Sequence, residues 1–206
     1  MGAEPADRQR GSRLSRSARR AQLLDAALQV FVAQGYHAAA MDGIADRAGV
    51  SKPVLYQHFP GKLDLYLALL ERASAELVDA VSKALGSTTD NRERVAATTE
   101  AFYSYVADPG GAFRLVFESD LTNEPLVRER VERVTQACAT AVAEVIADDT
   151  GLPADAATLL AVALVGMSQV SARYWLSAET PTTQRQATDL IAGLAWRGIS
   201  GYPRHD

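Results

Sequence analysis

Apolar residues recur every three or four positions through most of this chain, and no stretch alternates apolar with polar as a half-buried strand would. Leu24, Ala27, Leu28, Phe31 and Val32 predict a first helix over about 17–34, closed by Gly35. Leu65, Leu69, Leu70, Ala73, Leu77, Val81 and Leu85 predict a long one over 62–85, broken by the polar stretch 86–90. Val95, Phe102, Tyr105 and Val106 mark a helix over about 91–107, and the Asp-Pro-Gly-Gly run at 108–111 ends it. After a short apolar segment around Phe113 and Phe117, a turn at 123–125 leads into a helix bearing Val127, Val134, Cys138, Val145 and Ile146. Gly151-Leu-Pro153 opens another to about 177, and a last one follows Pro181 with Ala187, Leu190, Ile191 and Leu194. The pattern predicts an all-α fold. The last two helices are apolar around more than one face and must each bury more than one side.

Between the first helix and the long one, the pattern shortens. Ile44, Ala45 and Ala48 can face inward from a short helix that Gly49 ends. Val50 plugs the corner, Ser51 stands at an N-cap position, and Pro53 falls in the first turn of a second short helix. Val54, Leu55 and Phe59 can pack inward, which leaves Lys52, Tyr56, Gln57 and His58 outside. A cation, a phenol, an amide and an imidazole on one short helix suit phosphates and base edges. This is a helix-turn-helix, and it predicts double-stranded DNA as a partner.

Gly35-Tyr36, Ile44-Ala45, Ala48-Gly49-Val50-Ser51, Leu55-Tyr56, His58-Phe59, Lys62 and Leu65 together resemble the amino-terminal signature of TetR-family transcriptional regulators. The match is dense from about residue 20 to 70. Ala40 and Gly43 depart from it, because the family commonly has a hydroxyl and a carboxylate there, the two halves of a capping box. The resemblance implies a three-helix reading head on a helical body that binds an effector and forms a homodimer through its last two helices, packed as a four-helix bundle. It implies a pseudo-palindromic operator. The expected divisions are a disordered basic arm at 1–15, the DNA-binding domain at 16–62, and the effector and dimerisation domain at 63–206.

Charge sharpens this reading. The net charge of −4 divides into +4 over residues 1–62 and −8 over 63–206. A basic head on an acidic body aims the attractive field at DNA through the head. Arg8, Arg10, Arg13, Arg16, Arg19 and Arg20 extend it as an amino-terminal arm. Lys52 and Gln57 are the candidates for base-edge contact. Tyr56, His58 and Lys62 are candidates for phosphate contact, Pro53 stands with them, and Arg47 is a further reach to the backbone. Cys138 is the only cysteine, which excludes an internal disulfide and suits a reducing cytoplasm. No unbroken apolar run approaches the ~20 residues that span a bilayer, so no membrane helix is expected.

No catalytic set is legible. His37, His58 and His205 lack metal-ligand spacing, Gly166-Met-Ser168-Gln-Val170 lacks the final glycine of a nucleophile elbow, and there is no phosphate-binding glycine loop. Neither an enzyme, a cofactor nor a metal is expected. The family resemblance implies an effector pocket, for which Phe102, Tyr105, Phe113, Phe117, Met167, Val170, Tyr174 and Trp175 are the candidate lining. Stretches such as 88–91, 113–120, Glu124-Pro125, 166–168 and 172–176 are similar to actinobacterial regulators of fatty-acid synthesis genes, which sense long-chain acyl-CoA. Arg114, Arg128 or Arg173 would then meet the coenzyme's phosphates. A TetR-like regulator of an efflux or catabolic operon, with another hydrophobic ligand, is the alternative. An architectural DNA binder with a dry body and a hydrolase on a helical scaffold are more distant ones.

Overall fold

The computed structural model describes residues 14–117, 121, 123–177 and 181–199. Most of the expected arm, with Arg8, Arg10 and Arg13, lies outside them, as do residues 118–120 and His205. The described residues form nine helices and no strand. These are α1 (Arg16–Ala38), α2 (Met41–Arg47), α3 (Lys52–His58), α4 (Lys62–Leu85), α5 (Asn91–Ala107), α6 (Ala112–Phe117), α7 (Pro125–Thr150), α8 (Ala154–Ser177) and α9 (Gln184–Ile199).

Local chemistry sets most of the boundaries. Ser15 caps α1 by accepting from the Ala18 N–H at 3.1 Å, and Asp90 caps α5 by accepting from the Glu93 N–H at 2.9 Å. Arg16, Arg19 and Arg20 are therefore helical residues of the first turns of α1, so these arm cations are presented from a helix that starts close to the expected position. Gly35 breaks α1 with φ 75° and ψ 166°, but helical backbone resumes and runs to Ala38. Ser51 holds the extended N-cap conformation of α3, yet its side chain makes no capping bond, contrary to expectation. Ala40 is the N-cap of α2 and gives it no side-chain cap, as the missing hydroxyl requires.

Helices α1 to α3 share one continuous core with the first half of the body. Leu23, Ala27, Ile44, Leu55, Phe59, Leu65, Leu69 and Leu70 are all buried in it, together with Tyr103, Phe113, Val116 and Val127 farther along. The long α4 packs on α1, α5, α6 and α7, and so spans from the head into the body. Arg72 on α4 reaches Asp25 on α1 at 2.7 Å, and Arg130 on α7 reaches Glu71 at 3.2 Å. Gly111 lets the turn before α6 approach α1. Its φ is +73°, and a Cβ there would stand 2.8 Å from Val32 Cγ1.

α8 and α9 behave differently. α8 is long and apolar enough to cross a membrane, with a mean hydropathy of 1.4 over a window of which 11% is buried. No unbroken run announces it, because Ser168, Gln169 and Ser171 interrupt its apolar positions. Leu159, Val162, Val170 and Tyr174 of α8 and Leu190 and Leu194 of α9 are exposed in the single chain.

Candidate nucleic-acid interface and effector cavity

The turn between α2 and α3 is built around Gly49, whose φ of +64° is a left-handed conformation that other residues rarely hold. The Val50 N–H donates to the Ala45 carbonyl at 3.0 Å and folds the chain back on α2. Leu55 and Phe59 then bury the inner face of α3, while Val54 is only half-buried. Lys52, Pro53, Tyr56 and Gln57 are exposed, and His58 is half-buried at the end of the helix.

Two surfaces flank α3. On one side, Arg16, Arg19, Ser51, Gln57 and His58 line a polar cleft of about 530 Å3 between the start of α1 and α3. Arg19 donates to Gln22 at 2.8 Å, and Gln22 in turn donates to the Ala48 carbonyl, so the start of α1 is pinned to the turn of the motif. The Ser51 hydroxyl, unused as a cap, and the Arg16 guanidinium join this cleft. Arg16 was expected among the cations of the amino-terminal arm, whereas Ser51 was expected only as a cap. On the other side, Lys52 forms an ion pair with Asp42 of α2 at 2.5 Å. Its hydrogen bond to Asp42, and then the charge of that carboxylate, raise the Lys52 pKa above its ordinary value. Both groups are well exposed, so the pair is weak and open to exchange for a base edge or a phosphate.

Three other cations are committed to the protein. Arg47 donates to Gln29 at 2.7 Å, and the Arg20 guanidinium lies 4.4 Å from the centre of the Phe59 ring. Lys62 departs furthest from expectation. Its ammonium donates to the carbonyls of Tyr36 (2.8 Å), Ala39 (2.9 Å) and His37 (3.3 Å), and lies 4.5 Å from the Tyr36 ring centre. An ammonium has three protons. All three are directed at backbone, so Lys62 acts as a clamp on the end of α1, where a free phosphate ligand was expected. Tyr36 itself stacks on Phe31 and meets Tyr66 of α4 edge-on, beside the long helix.

An apolar cavity of about 120 Å3 lies in the body between α4, α5, α7 and α8, with Trp196 of α9 at its side. Leu77, Val81, Phe102, Cys138, Val142 and Leu164 form its apolar wall. Burial pushes the Cys138 thiol up to about 11. Of the eight residues expected to line a pocket, only Phe102 does. Tyr105 donates to the Ala73 carbonyl at 3.0 Å, and Phe113 and Phe117 pack beside Phe102 on the side of α6. Trp175 donates to the Thr182 carbonyl at 2.9 Å, and Met167 is absent from the cavity wall. Val170 and Tyr174 point outward, 67% and 71% exposed. Helical periodicity counts faces but does not say which neighbour each face meets.

Arg114, Arg128 and Arg173 lie on the exterior, away from the cavity. The cation that does line it is Arg94, paired with Asp149 of α7 at 2.8 Å. Its signal was present in the sequence, since Arg94, Thr98 and Phe102 share one face of α5 at i, i+4 and i+8.

Residues 23–69 match the family profile described as "Bacterial regulatory proteins, tetR family". Over 194 residues the chain is 51% identical to the "HTH-type transcriptional activator FasR" of Mycolicibacterium smegmatis, covering 94% of this chain and 89% of that protein. Among solved structures it resembles a TetR-like transcriptional regulator from Rhodococcus sp. RHA1, with a TM-score of 0.72, 29% identity, and 92% and 100% of the two chains covered. It also shares its fold with a transcriptional regulator FadR from Bacillus subtilis in complex with stearoyl-CoA, with a TM-score of 0.72, 18% identity, and 85% and 96% covered.

Proposed function

The chain belongs to the TetR family of bacterial regulatory proteins and is a DNA-binding transcriptional regulator, not an enzyme; from that premise we propose that it is a cytoplasmic homodimer whose hold on a pseudo-palindromic operator is set by a long-chain acyl-CoA. The gene set it governs is that of fatty-acid synthesis. The observation that carries this reading is the identity with the FasR activator along almost the whole chain, body included. A match confined to the head would support DNA binding alone. The stearoyl-CoA bound to a protein of this fold supports the same ligand class.

In this reading Gln57 and Lys52 read base edges, and Tyr56, His58, Arg19, Ser51 and Arg16 hold phosphates around the cleft beside α3. The division into a reading head at 16–62 and a body at 63–206 follows the role of each part, although one core joins them. The exposed apolar faces of α8 and α9 meet the same faces of a second subunit. That contact also explains why α8 is apolar without being buried in one chain.

The cavity is narrow beside the ~300–1,000 Å3 of ordinary ligand pockets. A long acyl chain enters only by parting α4 from α5 and α7. Because α4 runs on to the head, such a displacement alters the spacing of two recognition helices that must meet successive turns of the groove. Ligand and DNA then bias the same equilibrium.

The test is selection of bound sequences from random DNA by the purified protein, followed by operator binding with an acyl-CoA chain-length series. A twofold site with half-sites ~34–36 Å apart, and a response to long chains that free coenzyme A does not share, are the expected results. An asymmetric single half-site would refute the dimer, and indifference to chain length would refute the effector.

A further inference from the structure

The cavity is apolar along its length and charged at one end. Arg94, Asn91, Asp149 and Thr150 gather where α5 begins and α7 finishes, while Leu77, Phe102 and Cys138 close the opposite, buried end. Asn91 and Phe102 are eleven residues apart on one helix, so the two ends are separated by roughly 16 Å. Thr98, one turn inward from Arg94, has a hydroxyl oxygen buried without a hydrogen-bond partner.

Arg94 is held firmly and only in part satisfied. Its Nε donates to the Thr88 carbonyl at 3.2 Å, and one terminal nitrogen donates to Asn91 Oδ1 at 2.6 Å and to Asp149 Oδ2 at 2.8 Å. The other terminal nitrogen has no acceptor among the described residues. The side chain is 15% exposed and that of Asp149 33%. A guanidinium has five N–H donors in a planar fork matched to two oxygens of one carboxylate. Here it meets a single carboxylate oxygen, from a residue that can swing to solvent.

We propose that the Arg94 end of the cavity is a carboxylate site, and that the cavity takes a long-chain fatty acid whose head group replaces Asp149 on Arg94 and whose tail runs toward Phe102. The exchange is like for like, because the group now on Arg94 is itself a carboxylate. The ligand gains a two-oxygen grip that Asp149 does not make, and Thr98 supplies a further hydrogen bond near the head. Released from Arg94, Asp149 no longer ties α7 to α5. Charged and neutral chains therefore differ in effect as well as in affinity. The inference rests on the reading of this cavity as the effector site, but not on a coenzyme A thioester.

The experiment is binding of palmitate, hexadecanol and palmitoyl-CoA, each below its aggregation limit, to the full-length protein, followed by calorimetry and by thermal shift. Palmitate should bind at least about tenfold more tightly than hexadecanol. Arg94→Gln should remove that difference, while palmitoyl-CoA, whose thioester offers Arg94 no carboxylate, should bind Arg94→Gln and the unsubstituted protein alike. Asp149→Asn should tighten palmitate severalfold and leave hexadecanol unchanged, because it removes the internal competitor; a merely structural ion pair predicts weaker binding of both. Should Arg94→Gln fail to fold, the Asp149→Asn result still decides. Equal binding of palmitate and hexadecanol, or no gain in Asp149→Asn, overturns the carboxylate site and leaves the cavity reading intact. If none of the three binds, the cavity reading itself fails.

Discussion

Lys62 and Tyr36 are joined twice, through a 2.8 Å hydrogen bond from the ammonium to the Tyr36 carbonyl and through the 4.5 Å approach of that ammonium to the Tyr36 ring. With the Ala39 and His37 carbonyls also engaged, this one side chain fastens the end of α1 to the start of α4. Tyr66, one turn along α4, extends the link by donating to the Leu115 carbonyl of α6 at 3.2 Å.

Lys62→Met should lower stability by about 1–3 kcal/mol, as expected when hydrogen bonds to a charged donor are lost. Operator affinity should fall with it, but the slope of log affinity against log salt should stay unchanged. A lost phosphate contact would instead flatten that slope by about one unit. Salt titrations of the two proteins on one operator distinguish the outcomes.

Gln57→Ala should cost about 1–3 kcal/mol on the selected operator and relax the choice of base at one position per half-site. Asp42→Asn should act in the opposite sense on non-specific DNA. It frees Lys52 and removes a negative charge from the reading surface, so affinity for random sequence should rise and the ratio of specific to random binding should fall. Competition binding against random duplex measures both.

If the proposed dimer forms through α8 and α9, Val170→Glu and Leu190→Glu should each give monomers by light scattering while the far-ultraviolet helix signal persists, because both side chains are exposed in the single chain. Val170→Trp should leave effector binding unchanged, since Val170 is not part of the cavity. A dimer that survives both Glu substitutions would be assembled through some other surface.

Gly111→Ala should destabilise the fold by on the order of 1–3 kcal/mol, combining a left-handed backbone with a contact to Val32 that is too short. Adding Val32→Ala should recover the steric part only. Melting temperatures of the single and double variants separate the two contributions.

Cys138 sets a pH dependence on the alkaline side. Its thiol, ordinarily near 9.0, is pushed by burial to about 11, so the unfolded chain ionises first as pH rises. Below pH 9 neither state is ionised there and stability is unaffected. Between pH 9 and 11 the folded state should lose roughly 2 kcal/mol from this group alone. Urea unfolding at pH 8 and 10.5 should show a smaller alkaline loss in Cys138→Ala than in the unsubstituted protein.

The helices and the reading head were legible because they depend on neighbours in sequence. Periodicity placed α4 and α5 where they are found, and the run from Ile44 to Phe59 carries its own turn glycine, inward face and outward face. The polar face of α3 follows directly, since residues pointing away from Leu55 and Phe59 have nowhere to go but outward. What each side chain meets at long range was decided by the tertiary structure. Lys62 is a cation in a DNA-binding motif by sequence, and only the return of the Tyr36–Ala39 backbone turns it into a clamp. Val170 and Tyr174 are apolar positions on an apolar helix, indistinguishable by period from Leu164 and Val165, yet one pair faces outward and the other the interior. Arg94 reads as surface charge until α7 brings Asp149 beside it. Helical spacing assigns a residue to a face of its own helix; the packing of that helix against others, through contacts dozens of residues away, determines whether the face becomes core, cavity or interface.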